Sequence, residues 1–158
     1  MNFQTNTSKR SGFTLVEIMI VVLIIGLLAA LAVPAFAKMR QTSRATTFAN
    51  DIRALATAAQ NYILESGEYP PDSSSGVFPN ELDGYLTVQV FEDDTPLGGL
   101  WDFEFEDEGG YTSAVGVVNP SVEDEDFLKV DEVLDDGNLS TGSFVKISSS
   151  RYYYILQP

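Results

Sequence analysis

Apolar and polar positions are unevenly spread along the chain. From Ile18 to Val33, sixteen successive residues carry no charge and no side-chain hydrogen-bonding group. Extending the stretch back to Phe13 gives twenty-one residues, of which only Thr14 and Glu17 are polar. About twenty apolar residues suffice for a helix to cross a hydrocarbon layer of about 30 Å. Beyond Pro34 the pattern becomes amphipathic. Phe48, Ile52, Leu55, Ala59, Tyr62 and Ile63 recur at spacings of three and four, with Asn50, Asp51, Arg53, Thr57, Gln60 and Asn61 mostly off that stripe. Gly67 supplies a helix stop and Pro70-Pro71 forbids continuation. The pattern predicts one helix from Phe13 to about Glu65, roughly 80 Å long at 1.5 Å per residue. Pro34 removes a backbone hydrogen bond inside it and crowds the preceding turn, which predicts a kink or a loosened turn.

After the helix the period shortens to two. Leu86 to Phe91 alternates loosely and reads as a strand. Leu100 to Glu106 alternates cleanly, with Trp101, Phe103 and Phe105 on one face and Asp102, Glu104 and Glu106 on the other. Gly109-Gly110 reads as a turn into a strand over Tyr111 to Val118. Ser121 followed by Asp124 predicts a helix N-cap, and Phe127, Val130 and Leu134 then repeat at helical spacing up to Gly137. Phe144 to Ile147 and Arg151 to Leu156 close the sheet, with Tyr152 and Tyr154 on one face and Tyr153 and Ile155 on the other. Ser73 to Gly76 is a short polar loop. The fold class is therefore α+β, a long amino-terminal helix packed on a small antiparallel sheet.

Charge sharpens the asymmetry. Nine Lys and Arg stand against 23 Asp and Glu, a net charge of -14. Residues 92–136 hold sixteen acids and one base, Lys129, whereas Lys38, Arg40 and Arg44 follow the apolar run. Such a balance disfavours a partner bound through phosphates, so no nucleic acid is expected. The chain has no Cys and no His. It lacks the thiol nucleophile, the commonest general base and the commonest zinc ligand. No Gly-x-Ser-x-Gly and no phosphate-cradling glycine loop occurs, and the sequence reads as a non-enzyme.

Glu17 is the residue that a plain membrane anchor does not explain. An acid at a helix centre costs about 2.5–3.5 kcal/mol on insertion scales, less near the interface, and calls for a partner. A cut between Gly12 and Phe13 would create an ammonium at Phe13, one helical turn from Glu17 on the same face. The carboxylate could then be met within its own chain or by the ammonium of a neighbour, which would set register between packed helices. A secretory signal cut after Ala35-Phe36-Ala37 is a competing reading, although the apolar stretch exceeds the usual 7–15 residues.

The run Lys9-Arg10-Ser11-Gly12-Phe13-Thr14-Leu15-Val16-Glu17, followed directly by a long apolar segment, closely resembles the class III leader of type IV pilins and type II secretion pseudopilins. The resemblance implies a peptidase cut after Gly12, N-methylation of Phe13 and a register-setting role for Glu17. It also implies helix-loosening at Pro34 and Gly26. The segments it implies are a leader over 1–12, a transmembrane half-helix over 13–37, an amphipathic half-helix over 38–66 and an acidic β-sheet head over 67–158. The expected partners are further pilin-like subunits met through the amino-terminal helix, prepilin peptidase, an inner-membrane assembly platform and the lipid bilayer. The expected location is the bacterial inner membrane with the head in the periplasm, and afterwards an extracytoplasmic filament. Gly67-Glu68-Tyr69-Pro70 is similar to the turn after the long helix in that family. Thr95 to Phe103 resembles, in degraded form, the stretch that enters a strand there. A membrane-tethered or secreted acidic binding module is the alternative.

A small head without disulfides calls for another staple, and calcium prefers carboxylate and carbonyl oxygens. Asp131, Asp135, Asp136 and Asn138 are the candidate ligands, with Asp131 and Asp135 one helical turn apart. EF-hand spacing is absent, and so is the serine-glycine-aspartate pattern of the calcium loop in major pseudopilins. A solvated acidic face is the competing reading of these residues.

Overall fold

The computed structural model describes residues 12–107 and 111–157; Lys9 and Arg10 of the leader and the Gly109-Gly110 turn lie outside them. Helix α1 spans Leu15–Ser66 without a break at Pro34. A 3-10 turn over Asn80–Leu82 and a five-residue helix, α2 (Val88–Glu92), follow. Then come β1 (Leu100–Asp107), β2 (Tyr111–Val118), α3 (Asp124–Leu134), β3 (Phe144–Ser148) and β4 (Arg151–Gln157). The four strands form one sheet in the order β1-β2-β4-β3, every pair antiparallel. The architecture is α+β, as the sequence pattern implies. The chain divides between Met39 and Arg40 into two compact units.

In the first unit α1 buries nothing. Phe13, Leu15, Leu23, Leu31 and Phe36 are each more than 70% exposed. In the second unit its apolar stripe is fully used. Ala45, Phe48, Ala49, Ile52, Leu55, Ala56 and Ala59 are buried against Trp101 and Phe103 of β1, Val115 and Val117 of β2, Tyr152 of β4, Phe144 of β3 and Phe127 and Val130 of α3. Phe48 is the hub. Its ring stacks on Trp101 at 4.9 Å and meets Phe127 and Phe144 edge-on at 5.7 and 6.3 Å. Phe127 in turn stacks on Tyr152 at 3.8 Å. Alanines at four of the seven stripe positions let the helix backbone approach the sheet closely.

The outer face of the sheet is also covered, by its own side chains. The Tyr153 ring lies over Gly116, where a Cβ would strike both that ring and the Tyr152 carbonyl. The Tyr153 hydroxyl donates to Asp102, which is 2% exposed, and to Glu104 at 3.3 Å, and Arg151 pairs with Glu104 at 2.7 Å. Burial, then the neighbouring Asp102 charge, push the Glu104 carboxyl up to about 7, against the pull of Arg151; Asp72 adds to the rise. Asp102 and Glu104 of β1 thus belong to a hydrogen-bonded network, Asp102 buried and Glu104 half-buried. The β1 edge is shielded by the 73–76 loop, whose Ser73 and Gly76 amides donate to Phe103 and Trp101 carbonyls.

Two expectations need correction. Leu86 to Phe91 is not a strand: α2 occupies Val88–Glu92. Only Phe91 is buried there, edge-on to Phe78 at 6.1 Å, so a single anchored ring and no partner strand decide the conformation over β-propensity. Ser121 is not the N-cap of α3. The helix starts at Asp124 after an extended Glu123, while the Ser121 amide is committed to the Leu97 carbonyl and its side chain sits where a Cβ on Gly98 would fall. Phe127 and Val130 do face the core as their spacing implies. Gly137, at φ 79°, turns the chain after the helix has ended at Leu134.

Two outcomes are expected of the full-length chain in detergent. Phe48→Ala should lower its unfolding free energy by about 3–5 kcal/mol, read by denaturant titration of Trp101 fluorescence. A loss under about 1 kcal/mol would remove Phe48 from the hub. The second concerns pH. The folded-state pKa of Glu104 lies above its ordinary 4.5, so its stabilising contribution is present below pH 4.5 and disappears as pH rises through about 7. Glu104→Gln should therefore flatten the decline in stability between those values, and an unchanged slope would contradict the assignment.

Candidate functional site

The candidate residues fall in two places. At the amino-terminal end Gly12 and Phe13 precede α1 and are exposed. Thr14 is the residue before the helix, and Glu17 lies in its first turn. They cap each other reciprocally. The Thr14 amide and hydroxyl both donate to Glu17 Oε2 at 2.8 Å, and the Glu17 amide donates to Thr14 Oγ1 at 3.3 Å. This is a capping box. It gives the carboxylate two donors and places it where the helix macrodipole favours an anion. The Thr-x-x-Glu spacing is the sequence signal of this cap, distinct from the ammonium partner that the charge alone calls for. Gly26 and Pro34 lie on the exposed stretch of α1; a Cβ at Gly26 would meet nothing within 4 Å. The segment holding these residues is the one helix long and apolar enough to cross a membrane among the described residues.

The second place is the end of α3 and the loop after it. Oxygens of Asp131, Asp135 and Asp136 lie within 4.8 Å of one another. The loop wraps the two exposed acids. The Ser143 amide donates to Asp135; the Asn138 amide (2.9 Å) and the Thr141 hydroxyl (2.7 Å) donate to Asp136. Asn138 uses its side-chain oxygen to accept the Ser140 amide at 3.2 Å. A Cβ at Gly142 would run into the Asp135 carboxylate, so glycine is needed for this approach. Asp131 differs from its neighbours. It is 0% exposed, and among the described residues neither carboxylate oxygen has a hydrogen-bond partner. Burial raises its pKa to about 6; the Asn138 amide offsets part of this, and the Asp136 and Asp135 charges add to the rise. A buried carboxylate without partners, converging with two others, fits a hard dication. Three of the four candidate ligands from the sequence, Asp131, Asp135 and Asp136, are thus brought together, whereas the Asn138 side-chain oxygen is taken by the Ser140 amide.

Comparison with known proteins bears on the first place most directly. Residues 7–33 match the family described as the prokaryotic N-terminal methylation motif. The type II secretion system core protein G of Pseudomonas aeruginosa is 45% identical over 62 residues, 39% of this chain and 44% of that protein. The type IV major fimbrial protein FimA of Dichelobacter nodosus is 35% identical over 108 residues, 65% of this chain and 64% of that protein. The chain thus spans less than half of the first relative and just under two thirds of the second. In three dimensions it is similar to the major type IV pilin PilA1 of Clostridium difficile, with a TM-score of 0.54 and 14% identity over 75% of this chain and 97% of the other. That likeness shows the fold. By its amino-terminal methylation motif and its matched relatives, the chain is similar over its amino-terminal part to type IV pilins and type II secretion pseudopilins.

Proposed function

We propose that the chain is a structural subunit of a type II secretion pseudopilus or a type IV pilus-like filament. The observation that carries this reading is the first unit of α1. It is an apolar helical surface that buries nothing within its own chain, with one capped carboxylate in its first turn. Such a surface needs lipid or other helices around it. Prepilin peptidase cuts after Gly12 and methylates Phe13. The subunit then rests in the inner membrane with its acidic head, residues 67–158, in the periplasm. Residues 13–37 span the bilayer and 38–66 carry the head. In the bilayer the Thr14 donors keep Glu17 hydrogen-bonded. On assembly, lipid contacts are exchanged for helix contacts, and the Phe13 ammonium of a neighbour answers Glu17. Pro34 and Gly26 loosen the helix as it repacks. Calcium held by Asp131, Asp135 and Asp136, with Asn138 bracing the loop, would relieve the repulsion among three converging carboxylates and fasten α3 to the 135–143 loop.

Amino-terminal mass analysis of the protein from its native membrane should give a chain starting at methylated Phe13. A start at Lys38 would instead mean secretion, and an intact leader a plain anchor. Glu17→Leu should insert in the membrane at the normal level but yield few filaments; normal filament yield would rule out its pairing role. For calcium, full-length protein in detergent should unfold at higher temperature with the ion present, by about 2.7 kcal/mol of stabilisation at a hundredfold excess over Kd. Asp131→Asn should abolish the response. A wild-type midpoint indifferent to calcium would leave the loop a solvated acidic face.

A further inference from the structure

From Arg40 onward the chain carries six bases and twenty-two acids. Among the described residues four of those bases are engaged within the molecule. Lys129 pairs with Glu125 at 3.4 Å, Lys146 with Asp124 at 2.6 Å and Arg151 with Glu104 at 2.7 Å. Arg53 donates to the Val133 carbonyl at 2.6 Å. Arg40 and Arg44 make no ion pair or side-chain hydrogen bond among the described residues. Both are exposed, one helical turn apart on the same face of α1, just before Ala45 opens the buried stripe. Membrane topology does not account for them. With the head outside the cytoplasm they fall on the side of the bilayer that the positive-inside preference disfavours.

The matching anions lie at the end of α2. Glu92, Asp93 and Asp94 are exposed, and their side chains have no hydrogen bond or ion pair among the described residues. They close α2 at its carboxy-terminal end, where free carbonyls repel a carboxylate. The acids opening α3 differ, since they sit at a helix amino terminus and two of them already hold Lys146 and Lys129. Cleavage after Gly12 removes Lys9 and Arg10 and leaves each subunit at -16. Copies so charged repel one another at close range unless opposite charges are set face to face.

We propose that the Arg40–Arg44 face of α1 is a docking surface for a second copy of this chain, and that it receives the Glu92–Asp94 segment of that copy. The proposal rests on the filament reading above. It explains why two cations have no partner among the described residues of a chain with so large an excess of acid. The contact is electrostatic and exposed, so it weakens with salt.

The chain contains no cysteine, so introduced pairs report unambiguously. Full-length Arg44→Cys and Asp93→Cys chains, co-expressed with the native assembly system, should cross-link to each other in sheared filaments and not in the unassembled membrane pool. Arg40→Glu with Arg44→Glu should cut filament yield about tenfold at unchanged membrane insertion. Adding Glu92→Lys, Asp93→Lys and Asp94→Lys to the same chain should restore it. The proposal is overturned if the doubly reversed Arg variant assembles at wild-type yield, or if the combined variant stays defective and the cysteines do not cross-link. It is likewise overturned if the Arg variant assembles normally but loses binding to phosphatidylglycerol vesicles, which would assign the cations to lipid. Failure of the wild-type chain to form filaments would sink the underlying reading instead.

Discussion

The constraint on which the molecule turns is uncovered apolar surface. Between Leu15 and Met39 a single helix presents Leu, Ile, Val, Met and Phe side chains on every face and buries none of them. At about 25 cal/mol per Å² of apolar surface, such a segment does not remain in water. It requires a bilayer or other apolar surfaces around it. The same helix, past Arg40, has a one-sided stripe that its own sheet satisfies completely. One element thus divides two tasks along its length. The first half is left for other molecules to cover, and the second is the core of the head.

What fixes the second half is aromatic. Phe48 touches Trp101, Phe127 and Phe144, and Phe127 carries the contact on to Tyr152. These rings come from α1, β1, α3, β3 and β4 and lock elements far apart in sequence without any disulfide. The outer face of the sheet is closed differently. Gly116 leaves the space, Tyr153 fills it, and its hydroxyl satisfies the buried Asp102. Arg151 then neutralises part of the charge that Asp102 and Glu104 would otherwise share.

Much of this was legible in the residues, because strong periodicity survives tertiary context. The long helix, its stop at Gly67, strands β1 to β4 and the apolar face of α3 all follow from spacing. The failures are of another kind. At 86–91 a loose alternation suggested a strand, but a strand needs a partner, and partners are not written in a local window; Phe91 is the one residue buried there. At Ser121 the capping residue type was present, yet its amide was claimed by Leu97. The alternation placed Asp102 and Glu104 on one face, but nothing local shows that Tyr153, fifty-one positions away, reaches back to Asp102. The amino-terminal candidates were visible as a fixed order of residue types, whereas the Thr14 donors to Glu17 needed a reading of the cap as well as of the charge. Burial of Asp131 could not be seen at all, because an aspartate between acids looks solvated until its surroundings are known.

The proposed pairing of Glu17 with the Phe13 ammonium of a neighbour can be measured directly. Solid-state NMR on assembled filaments, mixing chains carrying a ¹⁵N label at Phe13 with chains carrying a ¹³C label at the Glu17 carboxylate, would report the distance between subunits. The account predicts dipolar coupling between the two labels at ion-pair separation, about 4–6 Å or less. Ordered filaments in which the Glu17 carboxylate stays beyond that range from every neighbouring ammonium would contradict it.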